Sequence, residues 1–182
     1  MGARIPDAVA DAVARKGMIA VWERLCADPR LAGLPFKFET TFEGKIIMSP
    51  ANMRHASLQG EIVGVLHTLA RESGVGGKVM CECPVVTDDG VKVPDVAWLS
   101  RRQVEAFAGK TAAPEAPEVC VEVKSPSNFK KEMDSKKSLY FAAGAKEVWF
   151  CDDRGAMTFW NATGRLKRSK VFALFPALVE PL

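Results

Sequence analysis

Three side chains in two short stretches have the makings of a metal-assisted hydrolase. They are Asp95, in VPDVAWLS, and Glu122 and Lys124, in PEVCVEVKSPS, 27 positions further on. Mg²⁺ prefers oxygen ligands and keeps several waters, so a protein need offer only two or three carboxylate or carbonyl oxygens. Asp95, Glu122 and the main-chain carbonyl of Val123 can provide them. Such an ion polarises a phosphoryl oxygen, lowers the pKa of a bound water and offsets charge in the transition state. Lys124 is two residues past Glu122 and so on the same strand face, where an ammonium can hold the attacking water and the pentavalent phosphorane. Spacing alone also fits a solvent-facing charge pair, because Glu-x-Lys is common by chance. Asp95 is harder to set aside. Period-two alternation groups it with Val91, Val93, Ala97 and Leu99, and a carboxylate on so apolar a face needs a cation or donors beside it.

The elements that must position these groups can be read around them. Lys78 to Val86 predicts a strand, Thr87-Asp88-Asp89-Gly90 a turn, and Val91 to Leu99 the returning strand, with Pro84 marking an edge or bulge. Val119, Val121 and Val123 form one face of the next strand, Cys120, Glu122 and Lys124 the other. Ser125-Pro126-Ser127 ends it. A helix is predicted from Asn128 to Ala143, capped by Ser127 or Asn128, with a stripe at Phe129, Met133, Lys136, Tyr140 and Ala143. Lys136 is anomalous at a core-facing position: it either snorkels to solvent or directs its ammonium into the site. Glu147 to Cys151 reads as a buried strand, and Asp152 to Gly155 turns the chain into another at 156–160. Arg165, Lys167, Arg168 and Lys170 read as a solvated face ahead of the apolar segment from Phe172.

Upstream, the spacing of Leu58, Ile62, Val65 and Leu69 predicts a helix over 54–71. At about 100° per residue His55 and Glu61 fall on opposite shoulders of that stripe, and His67 points away. His55 and Glu61 can each reach a cleft, or serve as a helix-end contact and a surface charge. Residues 36–48 alternate as a hairpin turning at Glu43-Gly44, and 6–27 are helical after Pro6, with Gly17 a break between two short helices. Pro29 to Pro35 connects the two. Residues 101–117 predict a short helix and an exposed loop.

With 182 residues, 48% of them hydrophobic, the chain suits one domain, with residues 1–35 as an N-terminal helical extension. Strands alternating with helices predict an α/β fold: a mixed central sheet flanked by helices. A net charge of +3 is compatible with a polyanionic partner but is no dedicated nucleic-acid arm. Five scattered cysteines lack paired zinc spacing and predict buried thiols in a reducing cytoplasm. No run reaches the length of a membrane span and no signal-peptide pattern opens the chain, so the expected location is cytoplasmic.

From about Phe42 the sequence resembles the PD-(D/E)xK nuclease superfamily, of restriction-endonuclease-like fold, and within it the Uma-two family. FEGKIIMSP resembles that family's opening hairpin, VPDVAWLS its acidic strand and PEVCVEVKSPS its Glu-x-Lys strand. DSKKSLYFAAGAKEVWFCD resembles the segment that follows, with Lys136, Tyr140, Gly144, Glu147, Trp149 and Asp152 in matching places. The resemblance implies that Asp95 and Glu122 bind Mg²⁺ or Mn²⁺, that Lys124 is catalytic, and that DNA is cut to a 5′-phosphate and a 3′-hydroxyl. Lys45 departs from it, standing where an acid more often follows the glycine, and residues 1–35 match nothing in it. Two other readings stay open: a catalytically silent module binding nucleic acid or protein, and an RNA-directed nuclease. Cutting both strands of a duplex is simplest for a homodimer.

Overall fold

The computed structural model describes residues 7–31, 34, 36–50, 52–125 and 130–180. Pro6, Pro35, Pro126, the cap candidates Ser127 and Asn128, and Phe129 lie outside the described residues. Helix α1 (Asp7–Ala27) is followed by a hairpin of β1 (Phe36–Thr40) and β2 (Ile46–Pro50), then by α2 (Met53–Glu72). Next come β3 (Lys78–Cys81), β4 (Val85–Thr87), β5 (Gly90–Lys92) and β6 (Val96–Leu99). After these lie α3 (Arg101–Phe107), β7 (Val119–Val123), α4 (Lys130–Ala142), β8 (Glu147–Cys151), β9 (Met157–Asn161) and β10 (Gly164–Leu166). The central sheet runs β10-β9-β8-β7-β6-β3. Within this sheet only β7 and β8 are parallel, joined by α4 as the crossover such a pair requires. The fold is the expected mixed sheet with helices on its faces.

Strand alternation sorts the core. Val119, Val121 and Val123 of β7 face α2, which buries Leu58, Ile62, Leu66 and Ala70 against them. Each large aliphatic side chain so covered contributes about 1.5–3 kcal/mol. Phe172, Phe175 and Val179 close that layer around Trp149. Cys120 and Phe150 face the other way, onto Met133 and Tyr140 of α4. Asn52 caps α2, its Oδ1 accepting from the amides of Arg54 (3.0 Å) and His55 (3.2 Å).

Several expectations change in detail. The α2 stripe runs Leu58, Ile62, Leu66, Ala70, at a constant spacing of four, with Val65 and Leu69 only partly buried at its flank. Gly17 does not split α1. One internal glycine costs about 1 kcal/mol, and the helix is anchored by Trp22, which stacks on Phe38 (4.9 Å) and packs with Val86 and Val91. The long hairpin of 78–99 divides in two. β3 pairs with β6 inside the sheet, while β4 and β5 form a separate ribbon beneath α1. The break falls at Glu82, with φ of 49°, and at Pro84 and Pro94, neither of which has an amide to give the ladder. Hence Val91 and Val93 do not share a face with Ala97 and Leu99 as alternation predicts: the first pair packs under α1, the second toward α4. All five cysteines are free; Cys83, Cys120 and Cys151 are buried, but Cys26 and Cys81 are exposed, contrary to the buried expectation.

Among the described residues, no helix is long and apolar enough to cross a membrane.

Candidate active site

Three separate parts of the chain, β1, α2 and α4, converge at the end of β6 and β7 that carries the acids. The first is β1, whose sequence FKFET puts Lys37 and Glu39 on the face opposite Phe38. Phe38 packs on Trp22, which aims Lys37 and Glu39 at the segment before β6. Lys37 Nζ donates to the Val93 carbonyl (3.0 Å), and Glu39 Oε1 accepts from the Val93 amide (2.9 Å). Both backbone groups of the residue before Pro94-Asp95 are therefore satisfied by β1 side chains. A segment that has left the ladder would otherwise bury them unpaired.

Asp95 is 1% exposed. Its Oδ1 accepts from Lys37 Nζ at 2.5 Å and lies 3.1 Å from His55 Nε2, while Oδ2 accepts from the Val123 amide at 2.7 Å. Gln59, one turn beyond His55 on α2, donates to the Asp95 carbonyl (2.7 Å). Burial alone would raise the Asp95 pKa, but the His55 hydrogen bond and the Lys37 charge outweigh it and hold the carboxyl below the usual aspartate range.

Glu122 is the contrasting acid. It is 3% exposed, accepts from the Tyr140 hydroxyl at Oε1 (2.5 Å), and has Lys136 Nζ 3.3 and 3.2 Å from its two oxygens. Lys136 Nζ also donates to Glu39 Oε1 at 2.9 Å, so one ammonium bridges β1 and β7. Burial pushes the Glu122 pKa up; Lys136 and Lys37 oppose that shift without cancelling it, because Asp95 and Glu39 add negative charge. Burial also works against the Lys136 ammonium, but the charges of Glu122 and Glu39 prevail and raise its pKa. Tyr140 is raised well above the usual phenol value by burial and by Glu122, which keeps it a donor.

The cluster brings together four residues singled out from sequence: Asp95, Glu122, Lys136 and His55. Of Lys136's two alternatives, snorkelling and pointing inward, the structure has the second. Glu61 is exposed on α2 and is not among the groups bonded to either acid; six residues past His55, it has turned to solvent. His67 is exposed as expected. The Lys124 amide continues the ladder to the Cys151 carbonyl (2.8 Å), and its half-buried ammonium lies over the Phe150 ring, 5.2 Å from the centroid. It is on the Glu122 side of the sheet but one step beyond the strand. Val123 enters through its amide, held by Asp95.

Lys37, Glu39, Gln59 and the role of Tyr140 were missed. Signals for three of them existed. Lys37-x-Glu39 places opposite charges on one face of a strand whose other face is aromatic, and Tyr140, the chain's single tyrosine, stands one helical turn after Lys136. The cation that burial of Asp95 demands is Lys37, a residue no local pattern connects with it.

The donor chemistry suits a hard divalent cation: Asp95, Glu122 and Glu39 offer oxygen only, and an ammonium already sits among three of those oxygens. Among the described residues no three His, Cys, Asp or Glu side chains stand close enough together to hold an ion as they are. The contacts of 2.9 to 3.3 Å to Lys136 are ammonium distances, longer than Mg–O bonds of about 2.1 Å.

The sequence profile of the Uma2 family, described as "Putative restriction endonuclease", matches residues 23–174. A crystal structure described as "a putative nuclease belonging to DUF820 from Anabaena variabilis" superimposes with a TM-score of 0.60 at 20% identity, covering 76% of this chain and 80% of that one. At that identity the likeness carries the fold. No curated protein matches the chain.

Proposed function

The chain belongs to the Uma2 family of restriction-endonuclease-like proteins, and from that premise we propose that it is a metal-dependent endonuclease hydrolysing DNA phosphodiester bonds. The observation that supports this most is the buried pair of acids on adjacent antiparallel strands. Val96 stands opposite Val121, which puts Asp95 and Glu122 side by side at the strand ends. Both are nearly inaccessible and both are surrounded by cations. Buried acids matched to cations are costly as mere scaffolding, since apolar residues of similar volume often replace such groups without loss of stability.

In this reading Asp95 and Glu122, with the Val123 carbonyl, hold Mg²⁺ or Mn²⁺. The ion supplies Lewis-acid activation of a phosphoryl oxygen and a more acidic water. The chain's own residues do the rest. The Val123 amide and His55 fix the Asp95 carboxylate, and Gln59 fixes its backbone. Tyr140 orients Glu122 by donating to Oε1. Lys124 assists the attacking water and the charge that builds on the phosphoryl oxygens. Its position at the rim, over Phe150, puts its ammonium, among the described residues, outside the ion pairs that hold Lys37 and Lys136. A homodimer, with one site per strand of the duplex, belongs to the same proposal.

The test is nicking of supercoiled plasmid by wild type, Glu122→Ala and Lys124→Ala in Mg²⁺, Mn²⁺ or EDTA. Cleavage by wild type alone, abolished by EDTA, is expected. Equal nicking by all three proteins would assign the activity to a contaminant, and no nicking under any metal would favour the silent binding module.

A further inference from the structure

Glu39 and Lys136 have no part in the hydrolysis proposed above, although Glu39 is buried and Lys136 largely so beside the two acids. Glu39 is 6% exposed, and the Lys136 side chain is 12% exposed. They stand 97 positions apart in the chain, and one ammonium joins Glu39 Oε1 (2.9 Å) to both oxygens of Glu122 (3.3 and 3.2 Å). Resting on the reading above, we propose that Glu39 is a third acid of the divalent-cation site and that the Lys136 ammonium is an internal cation that occupies the site until a metal ion replaces it.

Three facts lead there. Lys136 meets its partners as a point charge among carboxylate oxygens, and that oxygen set is also what a hard divalent ion takes. Glu39 already has a structural partner in the Val93 amide, so a purely structural acid at this place would not need the second bond to Lys136. Counting Lys37 and Lys136 against Asp95, Glu39 and Glu122 leaves one negative charge in excess. Exchanging Lys136 for a divalent ion would bring the cluster to neutrality, apart from His55. Lys136 is thus a positioning residue that keeps two buried carboxylates side by side and sets how tightly a metal binds by competing with it.

The experiment is a Mn²⁺ titration of the full-length protein, followed by the electron paramagnetic resonance signal of free Mn²⁺, for wild type, Glu39→Gln, Lys136→Met and Glu122→Gln. Glutamine at position 39 can still accept from the Val93 amide, which separates a structural loss from a lost ligand charge. Glu39→Gln is expected to weaken Mn²⁺ binding by about tenfold, and Lys136→Met to tighten it by about tenfold. A merely structural lysine would give the opposite sign, because its loss can only loosen the site. Weakening of under about threefold in Glu39→Gln, or no tightening in Lys136→Met, overturns the inference while leaving the Asp95–Glu122 reading intact. Binding that survives Glu122→Gln unchanged overturns both. If Lys136→Met is unfolded in EDTA, the same proposal requires that Mn²⁺ refold it, and failure to refold counts against it.

Discussion

β1 carries two opposite charges two residues apart, Lys37-x-Glu39, and the end of β7 runs into a second such pair, Glu122-x-Lys124, yet the two are used differently. In β1 both side chains enter the buried cluster: Lys37 on Asp95, Glu39 on Lys136. In β7 only Glu122 does, while Lys124 lies past the end of the strand over Phe150. Alternation decides the face a side chain takes, but its depth along the strand decides what it meets. Lys37 holds Asp95 and Glu39 meets the ammonium shared with Glu122, whereas the Lys124 ammonium stands apart from both acids, over the Phe150 ring.

That contrast can be broken by substitution, and the largest effect should come from β7. Glu122→Gln is expected to lower metal-dependent plasmid cleavage at least about 100-fold, measured as initial nicking rates. It should not unfold the protein. The folded-state pKa of Glu122 is raised, so ionising it costs stability, and that cost grows as pH rises through the unfolded value toward the folded one. Glutamine removes this cost and still accepts from Tyr140. Against this, the Glu122 charge does most to raise the Lys136 pKa, a stabilising counterpart that glutamine removes, so urea midpoints at neutral pH should stay close to wild type; a clear fall would mean that Glu122 is foremost a structural partner of Lys136.

Substitution in β1 should act first on stability. Lys37→Met leaves Asp95 buried without its ammonium and should cost about 3 kcal/mol in urea unfolding. By contrast Lys124→Ala should change stability by under about 0.5 kcal/mol while lowering cleavage. If Lys124→Ala cleaves like wild type, the lysine that serves the reaction belongs to the cluster and the contrast between the strands collapses.

A smaller effect follows from acid titration. The Asp95 carboxyl is held low, so its contribution is fully present above the unfolded value of about 3.9 and is lost as pH falls through the lower folded value. Wild type should lose stability across that acid window, and Asp95→Asn should show a flatter profile there. The smallest change is expected from Glu61→Ala, which should leave both melting and cleavage within error.

The α/β architecture, the faces of β7 and the two acids were legible because each depends on periodicity within a few residues. The partners of Lys37 and Glu39 were not, because these two act on Asp95 and Val93 across 58 and 54 positions, through a hairpin whose docking is set by Phe38 on Trp22. His55 and Glu61 show the same limit on a helix. Both flank the α2 stripe, but only His55 lies at the end where Asp95 emerges. The two-part hairpin was hidden for a related reason: alternation carries straight through Pro94 in the sequence, whereas the backbone turns there to meet β1.

The most direct measurement of the central claim is anomalous diffraction from crystals soaked in Mn²⁺. The account predicts a peak bonded to Asp95 and Glu122, with Lys136 moved off the Glu122 carboxylate. A peak elsewhere, or no peak while Lys37 and Lys136 keep their contacts with the two acids, would contradict it.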